Sequence, residues 1–282
     1  MANKPIEIVQ TAIAAGVYRT KMDTWNLLLR GFMAGLFIAV GAALATVCGT
    51  GLEKFSPGLK SLVSGAVFPV GLIAIVLTGM LLFTGDCMLM PMAACNRKTT
   101  WSKVVTIWFF VYIGNFVGSL FWAYLMSVGP LSKGGTAEIT AFGANAIGIA
   151  EAKTLPYIAA GTAGLWSAFM KGIACNLLVN TAILLAFSSK NMIGKFFGIW
   201  FPIMAFVASG FEHSVANMYF IPAGIFVGAK VTWTQFLLWN LAPVTVGNII
   251  GGALFIGVVY HFAFKKEMPA EPAPAAPEPA AK

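Results

Sequence analysis

The sequence predicts an all-α membrane protein of six helical spans, built as an inverted repeat with broken second and fifth helices. Three observations carry that prediction. Hydrophobic residues make up 59% of the chain and charged residues 10%, with a mean hydropathy of +0.82, which excludes an ordinary soluble domain. Apolar segments fall at about 31–49, 61–82, 104–128, 157–187, 197–227 and 236–264. Each supplies the roughly 20 residues that cross a bilayer core, and no alternating pattern of barrel strands occurs. Finally, motifs recur in consistent order. Val111-Tyr-Ile-Gly-Asn-Phe-Val-Gly118 matches Val244-Thr-Val-Gly-Asn-Ile-Ile-Gly251 at an offset of 133, Phe68-Pro69 matches Phe201-Pro202 at the same offset, and Arg30-Gly-Phe echoes Lys171-Gly-Ile at 141. Three spans per half is an odd number, so the halves insert in opposite directions, which places a substrate site near the midplane between them.

In chain order, residues 1–25 form an amphipathic N-terminal helix, with Ile6, Val9, Ile13 and Val17 on one face and Pro5 in its first turn. It is expected at the cytoplasmic surface or beneath a neighbouring subunit. No apolar core marks a cleaved signal peptide among the first residues. Residues 26–265 form the pore domain, with halves 26–130 and 155–265. In the second span Thr84-Gly-Asp86 is turn chemistry inside an apolar run. Thr84 or Asp86 suits the cap of the helix that resumes there. The Gly-rich stretch 129–156 is too polar to cross and is expected to cover the external face. The fourth and fifth apolar segments are longer than a crossing needs, which predicts bends or interruptions. In the fifth, Ser209, Gly210, Glu212, His213 and Asn217 sit at mid-membrane depth. Broken backbone there must be buried in protein or line a wet cavity, and an ionisable residue in a span marks a functional position. The Pro/Ala-rich tail, 266–282, is expected to be disordered and cytoplasmic.

Charge sets the orientation. With the N-terminal side inside, twelve Lys and Arg residues face the cytoplasm and five face outward, with Lys171 in a span. Both termini are therefore expected in the cytoplasm. The net charge of +8 is mostly this bias, so no nucleic-acid partner is implied. Cys48, Cys87, Cys95 and Cys175 have neither metal-ligand spacing nor a disulfide pattern. No metal, cofactor or catalytic constellation is expected, and the chain reads as no enzyme. His261 lies beside Phe262, Phe264 and Lys265 and reads as an interfacial anchor.

The stretch Val207-Ala-Ser-Gly-Phe-Glu-His-Ser-Val-Ala-Asn217 resembles the signature of the formate/nitrite transporter family, and the resemblance extends over about residues 5–265. It implies an aquaporin-like six-helix protomer, assembled as a homopentamer in the cell membrane with a separate pore in each subunit. It also implies a loop over the pore at Leu82-Phe83-Thr84. Apolar constrictions map onto Phe68, Leu72, Leu82, Phe83, Val179 and Phe206, and polar pore residues onto Thr84, Asn176 and Asn248. The family's entrance lysine maps onto Lys153, although its interval to Asn176 is about seven residues longer than usual; about 10 Å of helix accommodates that. Lys171 is the rival for this role.

His213, the one His at mid-span, reads as a proton donor, with Asn217 four residues on placed to hold its ring and Glu212 pointing elsewhere. A bare carboxylate in a dry throat costs on the order of 20 kcal/mol in the ideal limit and several after relaxation. Protonating a carboxylate of pKa about 3.7 at about pH 7 costs about 4.5 kcal/mol, so the neutral route wins. The resulting expectation is proton-coupled transport of formate, with nitrite or hydrosulfide as alternative substrates and protons, lipid and further copies of the chain as partners. A haem-holding membrane anchor is disfavoured because His213 and His261 lie 48 residues apart at different depths. A neutral-solute channel is disfavoured because no Asn-Pro-Ala motif occurs.

Overall fold

The computed structural model describes residues 2–268. Among these every named element is helical, and the only β features are two isolated bridges. Helix α1 (Pro5–Arg19) buries Val9, Ala12 and Gly16. A Cβ at Gly16 would meet the Leu89 carbonyl oxygen at 2.3 Å, so glycine lets α1 lie directly on α5 of its own chain. Two bonds from Asn3, its N–H to Ser188 O at 2.8 Å and its Nδ2 to Phe187 O at 2.8 Å, fix the approach to α1. Arg19 Nε donates to the buried Asp86 carboxylate at the other end. The expected amphipathic helix thus packs on α5 of its own chain.

Helix α2 (Thr24–Cys48) is capped by Asp23, whose carboxylate accepts from Asn26 N at 2.8 Å. Helices α3 (Pro57–Val67) and α4 (Val70–Thr78) continue one another across Phe68-Pro69. Gly79, at φ +76, ends α4 in the left-handed region that favours glycine. Helix α5 (Phe83–Cys95) starts after four non-helical residues, 79–82, and α6 (Trp101–Val128) follows, capped by Thr100. The Gly-rich stretch 129–156 contains α7 (Ala141–Ala152) and the start of α8 (Leu155–Ala159). Helix α9 (Thr162–Ser188) starts after Gly161, so the long fourth apolar segment is divided. Helix α10 (Met192–Ala208) and α11 (Ser214–Phe226) flank a non-helical stretch that includes Gly210 at φ +71. The final helix, α12 (Trp233–Glu267), contains two wider turns at Phe236–Leu241 and Ala253–Val258.

Among the described residues, five helical runs are long and apolar enough to cross a membrane: α2, α3–α4, α6, α9 and α12. Helices α10 and α11 are apolar but shorter. The first crossing begins earlier than the apolar run suggests, because Arg30 lies within α2, its Nε on Asn26 Oδ1 at 2.9 Å.

Two glycine-lined pairs, α2 with α6 and α9 with α12, form the frame. A Cβ at Gly118 would stand 1.9 Å from the Phe32 carbonyl oxygen, and one at Gly247 would stand 2.2 Å from that of Phe169. Such contact is close enough for dispersion and backbone polarity to hold helices together without a hydrophobic driving force. Helix α7 lies over α11, where Gly224 faces Ala146 and Ala150. Lys266 and Glu267, placed in the tail by sequence, belong to a helical turn, Lys265–Glu267, that continues α12. The expected disorder of the rest of the tail, from Pro269, lies outside the described residues.

Candidate functional site

The N-termini of α5 and α11 meet in the interior. Leu82 precedes α5 in extended conformation, and His213 precedes α11 in the same way, at φ −111 and ψ 115. Because His213 stands before the helix, its ring folds back and Nδ1 accepts from the Ala216 N–H at 3.0 Å. Its other nitrogen, Nε2, lies 2.9 Å from Thr84 Oγ1. An amide N–H can only donate, so Nδ1 is an acceptor. A neutral ring therefore carries its hydrogen on Nε2 and donates to Thr84, leaving the Thr84 hydroxyl hydrogen free for a ligand. The two helix starts add partial positive charge, which favours an anion here. Thr84 therefore does not cap its helix, and neither does Asp86, whose carboxylate is taken by Arg19.

Each start is pinned by one asparagine. Asn115 Oδ1 accepts from Phe83 N at 2.9 Å, and its Nδ2 donates to Gly31 O at 2.8 Å and Leu81 O at 3.0 Å. Asn248 Oδ1 accepts from Ser214 N at 2.8 Å, and its Nδ2 donates to Gly172 O at 2.8 Å and Glu212 O at 3.0 Å. Interrupted backbone in an apolar interior must find such partners. The asparagine in each Gly-Asn-x-x-Gly motif supplies them. Tyr112 OH and Thr245 Oγ1, 133 residues apart, meet at 2.9 Å.

Two cavities flank the His213–Thr84 contact. One, of about 220 Å³, is lined by Phe68, Phe206, His213, Lys153, Asn217 and Phe220 among others. The other, of about 330 Å³, is lined by Leu72, Leu82, Gly85, Arg19 and Arg30 among others. Phe206 stacks on the His213 ring with centroids 5.7 Å apart and meets Phe68 edge-on at 5.6 Å. Of the expected constriction residues, Phe68 and Phe206 thus gather at the histidine, and Leu72 and Leu82 line the second cavity. Phe83 packs against Tyr112 and Trp108, at 4.8 and 6.2 Å, and lines neither cavity. Val179 is buried in the core and also lines neither. Asn176 Nδ2 donates to Thr84 O at 3.0 Å and Asn248 O at 2.6 Å, so it buttresses the α5 start from behind. Asn180, which sequence reasoning passed over, adds a second bond to Thr84 O at 3.2 Å.

Sequence reasoning also left out a polar cluster. Glu212, assigned no role, is buried and accepts from Lys153 Nζ at 2.8 Å, Tyr157 OH at 2.8 Å and Asn217 Nδ2 at 2.7 Å. Lys171 Nζ reaches the Tyr157 hydroxyl at 3.2 Å, so both candidate lysines converge on one carboxylate cluster. Asn217, expected to hold the histidine ring, instead bridges Glu212 and Asn240 Oδ1 at 2.8 Å. The four-residue spacing rule applies within a helix, and His213 lies outside α11. A carboxylate next to a mid-span histidine was the available signal for the cluster.

Helical architecture and a buried polar contact between two apolar-walled cavities define a multi-pass membrane protein with a site for a small solute. A family model described as Formate/nitrite transporter matches residues 6–262, and the chain belongs to that family. A relative from Methanothermobacter thermautotrophicus, described as a probable formate transporter, is 43% identical over 272 residues, which is 93% of this chain and 97% of its own length. A solved structure described as an FNT family ion channel superposes with a TM-score of 0.81 at 29% identity, over 92% of this chain and 99% of that one. Another, described as a pentameric formate channel with formate bound, gives 0.71 at 30% identity, over 86% and 98%.

Proposed function

We propose that this chain transports formate across the cell membrane, as a pentamer with one pore in each subunit. The observation that carries the reading is the Thr84–His213 contact, placed between two helix starts with Phe68 and Phe206 beside it. The names of the similar proteins support the substrate and the pentamer. In this reading α3–α5 and α10–α11 are the two broken crossings of an aquaporin-like inverted repeat. The matched bonding of Asn115 and Asn248 supports it. Both termini lie in the cytoplasm, which puts Lys153 in the outer vestibule as the entrance charge.

The anion is protonated at the throat. A ring that delivers a proton must be an imidazolium, and the second proton goes onto Nδ1, displacing the Ala216 cap bond at a cost of about 1 kcal/mol. The proton then passes from Nε2 to Thr84 Oγ1 while the Thr84 hydrogen moves to a carboxylate oxygen. Neutral acid crosses Phe68 and Phe206, and the ring, left neutral, takes its next proton from water. Protonation at about 4.5 kcal/mol, together with the lost cap, remains below or near the several kcal/mol of a desolvated anion.

Uptake of formate, nitrite and hydrosulfide into proteoliposomes, with and without a pH gradient, tests both parts. Formate is expected to enter fastest, driven by inward proton flow. Preference for another anion would overturn the substrate, and indifference to the gradient would overturn the coupling.

A further inference from the structure

The cavity of about 220 Å³ beside His213 adjoins a wider one of about 560 Å³, lined by Thr50, Glu53, Lys54, Asn145 and Gly148 among others. Glu53, Lys54 and Gly148 are exposed, so this antechamber opens at the surface. Lys60 and Ile149 line both cavities. The partition between them is therefore one long cation from α3 and one branched apolar side chain from α7.

Local chemistry builds this partition. Ser56 caps α3, its hydroxyl accepting from Leu59 N at 3.3 Å, which puts Lys60 in the first turn of that helix. Opposite, the end of α2 orients the Asn145 amide, whose Nδ2 donates to Thr46 O at 2.8 Å and to Thr50 Oγ1 at 3.2 Å. With both N–H groups so engaged, Oδ1 is left to accept from Lys60 Nζ at 3.0 Å. Glu53 Oε2 stands 3.4 Å from the same Nζ, and the Lys60 and Glu53 side chains are 30% and 48% exposed. An exposed pair of this kind is weak and exchanges readily with water. Lys153, by contrast, is committed to the buried Glu212 at 2.8 Å. Lys60 is thus a cation held by a neutral amide and loosely countered, with three hydrogens for these two acceptors.

We propose that Lys60 is an anion-selecting station between the two cavities: its ammonium takes a small monovalent anion from the antechamber, in place of Glu53, and releases it past Ile149 toward Lys153. The inference rests on the transport reading above and adds to it a binding site ahead of the throat. A weakly countered charge suits that task, since a station must bind enough to collect and little enough to release. Size is limited at the same place, because the solute passes between the Lys60 stem and Ile149.

The test is formate uptake by proteoliposomes at subsaturating concentration and low ionic strength, with the charge at position 60 varied. Lys60→Met is expected to lower the initial rate about threefold, the factor that one unit charge gives in water at about 7 Å. Lys60→Arg is expected to preserve it. At about 1 M salt, where the Debye length is about 3 Å, the Lys60→Met and wild-type rates should converge. Lys60→Cys, in a chain with Cys48→Ala and Cys95→Ala, is modified in detergent before reconstitution. An aminoethyl disulfide there should restore the rate. A sulfonatoethyl disulfide, which reverses the sign, should lower it about sevenfold below wild type. Asn145→Ala loosens the lysine but keeps its charge, so it should slow uptake less than Lys60→Met does. A sulfonate form as fast as the unmodified cysteine would overturn the proposal, and so would Asn145→Ala as slow as Lys60→Met, because either makes Lys60 a structural tie between α3 and α7. Wild-type vesicles that admit formate no faster than all the position-60 variants overturn this inference alone. Wild-type vesicles no faster than protein-free ones overturn the transport reading and the inference with it.

Discussion

Removing either pinning asparagine should damage both halves of the fold by a similar amount. Asn115→Ala leaves the buried Phe83 N–H and the Gly31 and Leu81 carbonyls without their partner, and Asn248→Ala does the same to Ser214 N–H, Gly172 O and Glu212 O. Three neutral hydrogen bonds at about 1 kcal/mol each give about 3 kcal/mol, and the lower average of about 0.6 found between membrane helices gives about 2. At about 2–4 °C per kcal/mol for chains of roughly this size, Tm should fall by about 4–12 °C. Thermal unfolding of the purified protein in mild detergent measures the fall, and formate uptake by the same preparations shows whether the helix starts still meet. Asparagine to aspartate at either position keeps the acceptor but turns a carboxylate toward two carbonyl oxygens, so it should be no milder than alanine. The symmetry argument fails if one alanine variant loses several degrees and its counterpart is stable and fully active.

The other predictions concern the throat and its polar surroundings. His213→Asn keeps a hydrogen-bonding side chain but cannot deliver a proton. The variant should assemble normally, and formate uptake should no longer rise as external pH falls; wild-type pH dependence in a well-folded variant would assign the proton to bulk water. Phe206→Ala should raise acetate and lactate uptake relative to formate, and unchanged selectivity would place the filter elsewhere. Phe83→Ala should leave selectivity intact and lower stability by about 3–5 kcal/mol, the cost of an emptied aromatic core site. A widened substrate range would instead show Phe83 to be part of the constriction. Lys153→Met should destabilise by about 3 kcal/mol, at the low end for a broken buried pair because Lys153 retains some exposure. The double variant with Glu212→Gln should recover most of that loss, and a double variant as unstable as the single one would mean the two charges are not coupled.

Hydropathy made the apolar runs legible, because spanning length is a property of sequence alone, and the repeated Gly-Asn-x-x-Gly pair pointed to the two interfaces that carry the frame. What the asparagines do there was hidden, because their partners are backbone groups more than thirty residues away in sequence. Helical spacing misplaced Asn217, since the chain breaks between His213 and the helix that carries it. It also hid Glu212, whose partners arrive from the 129–156 stretch, from α8 and from α11. Phe83 shows a further limit. Resemblance identifies which residue stands at the loop, but the direction of its ring depends on Tyr112 and Trp108 across the interface.

The two cavities share one electrostatic construction. Lys153 enters the first already paired with Glu212, and Arg19 enters the second already paired with Asp86. An unpaired buried cation would hold an anion strongly and slow its release, whereas conduction needs sites strong enough to enter and weak enough to leave. With a carboxylate behind Lys153 and behind Arg19, each pair presents a dipole whose positive end faces the solute, and its pull fades over a few ångströms. In the proposed mechanism the stronger local attraction is then left to the Thr84 hydroxyl and the two helix starts, where the anion gives up its water. In the same mechanism, charge on either side guides the solute inward, and protonation at the throat between the cavities decides whether it passes.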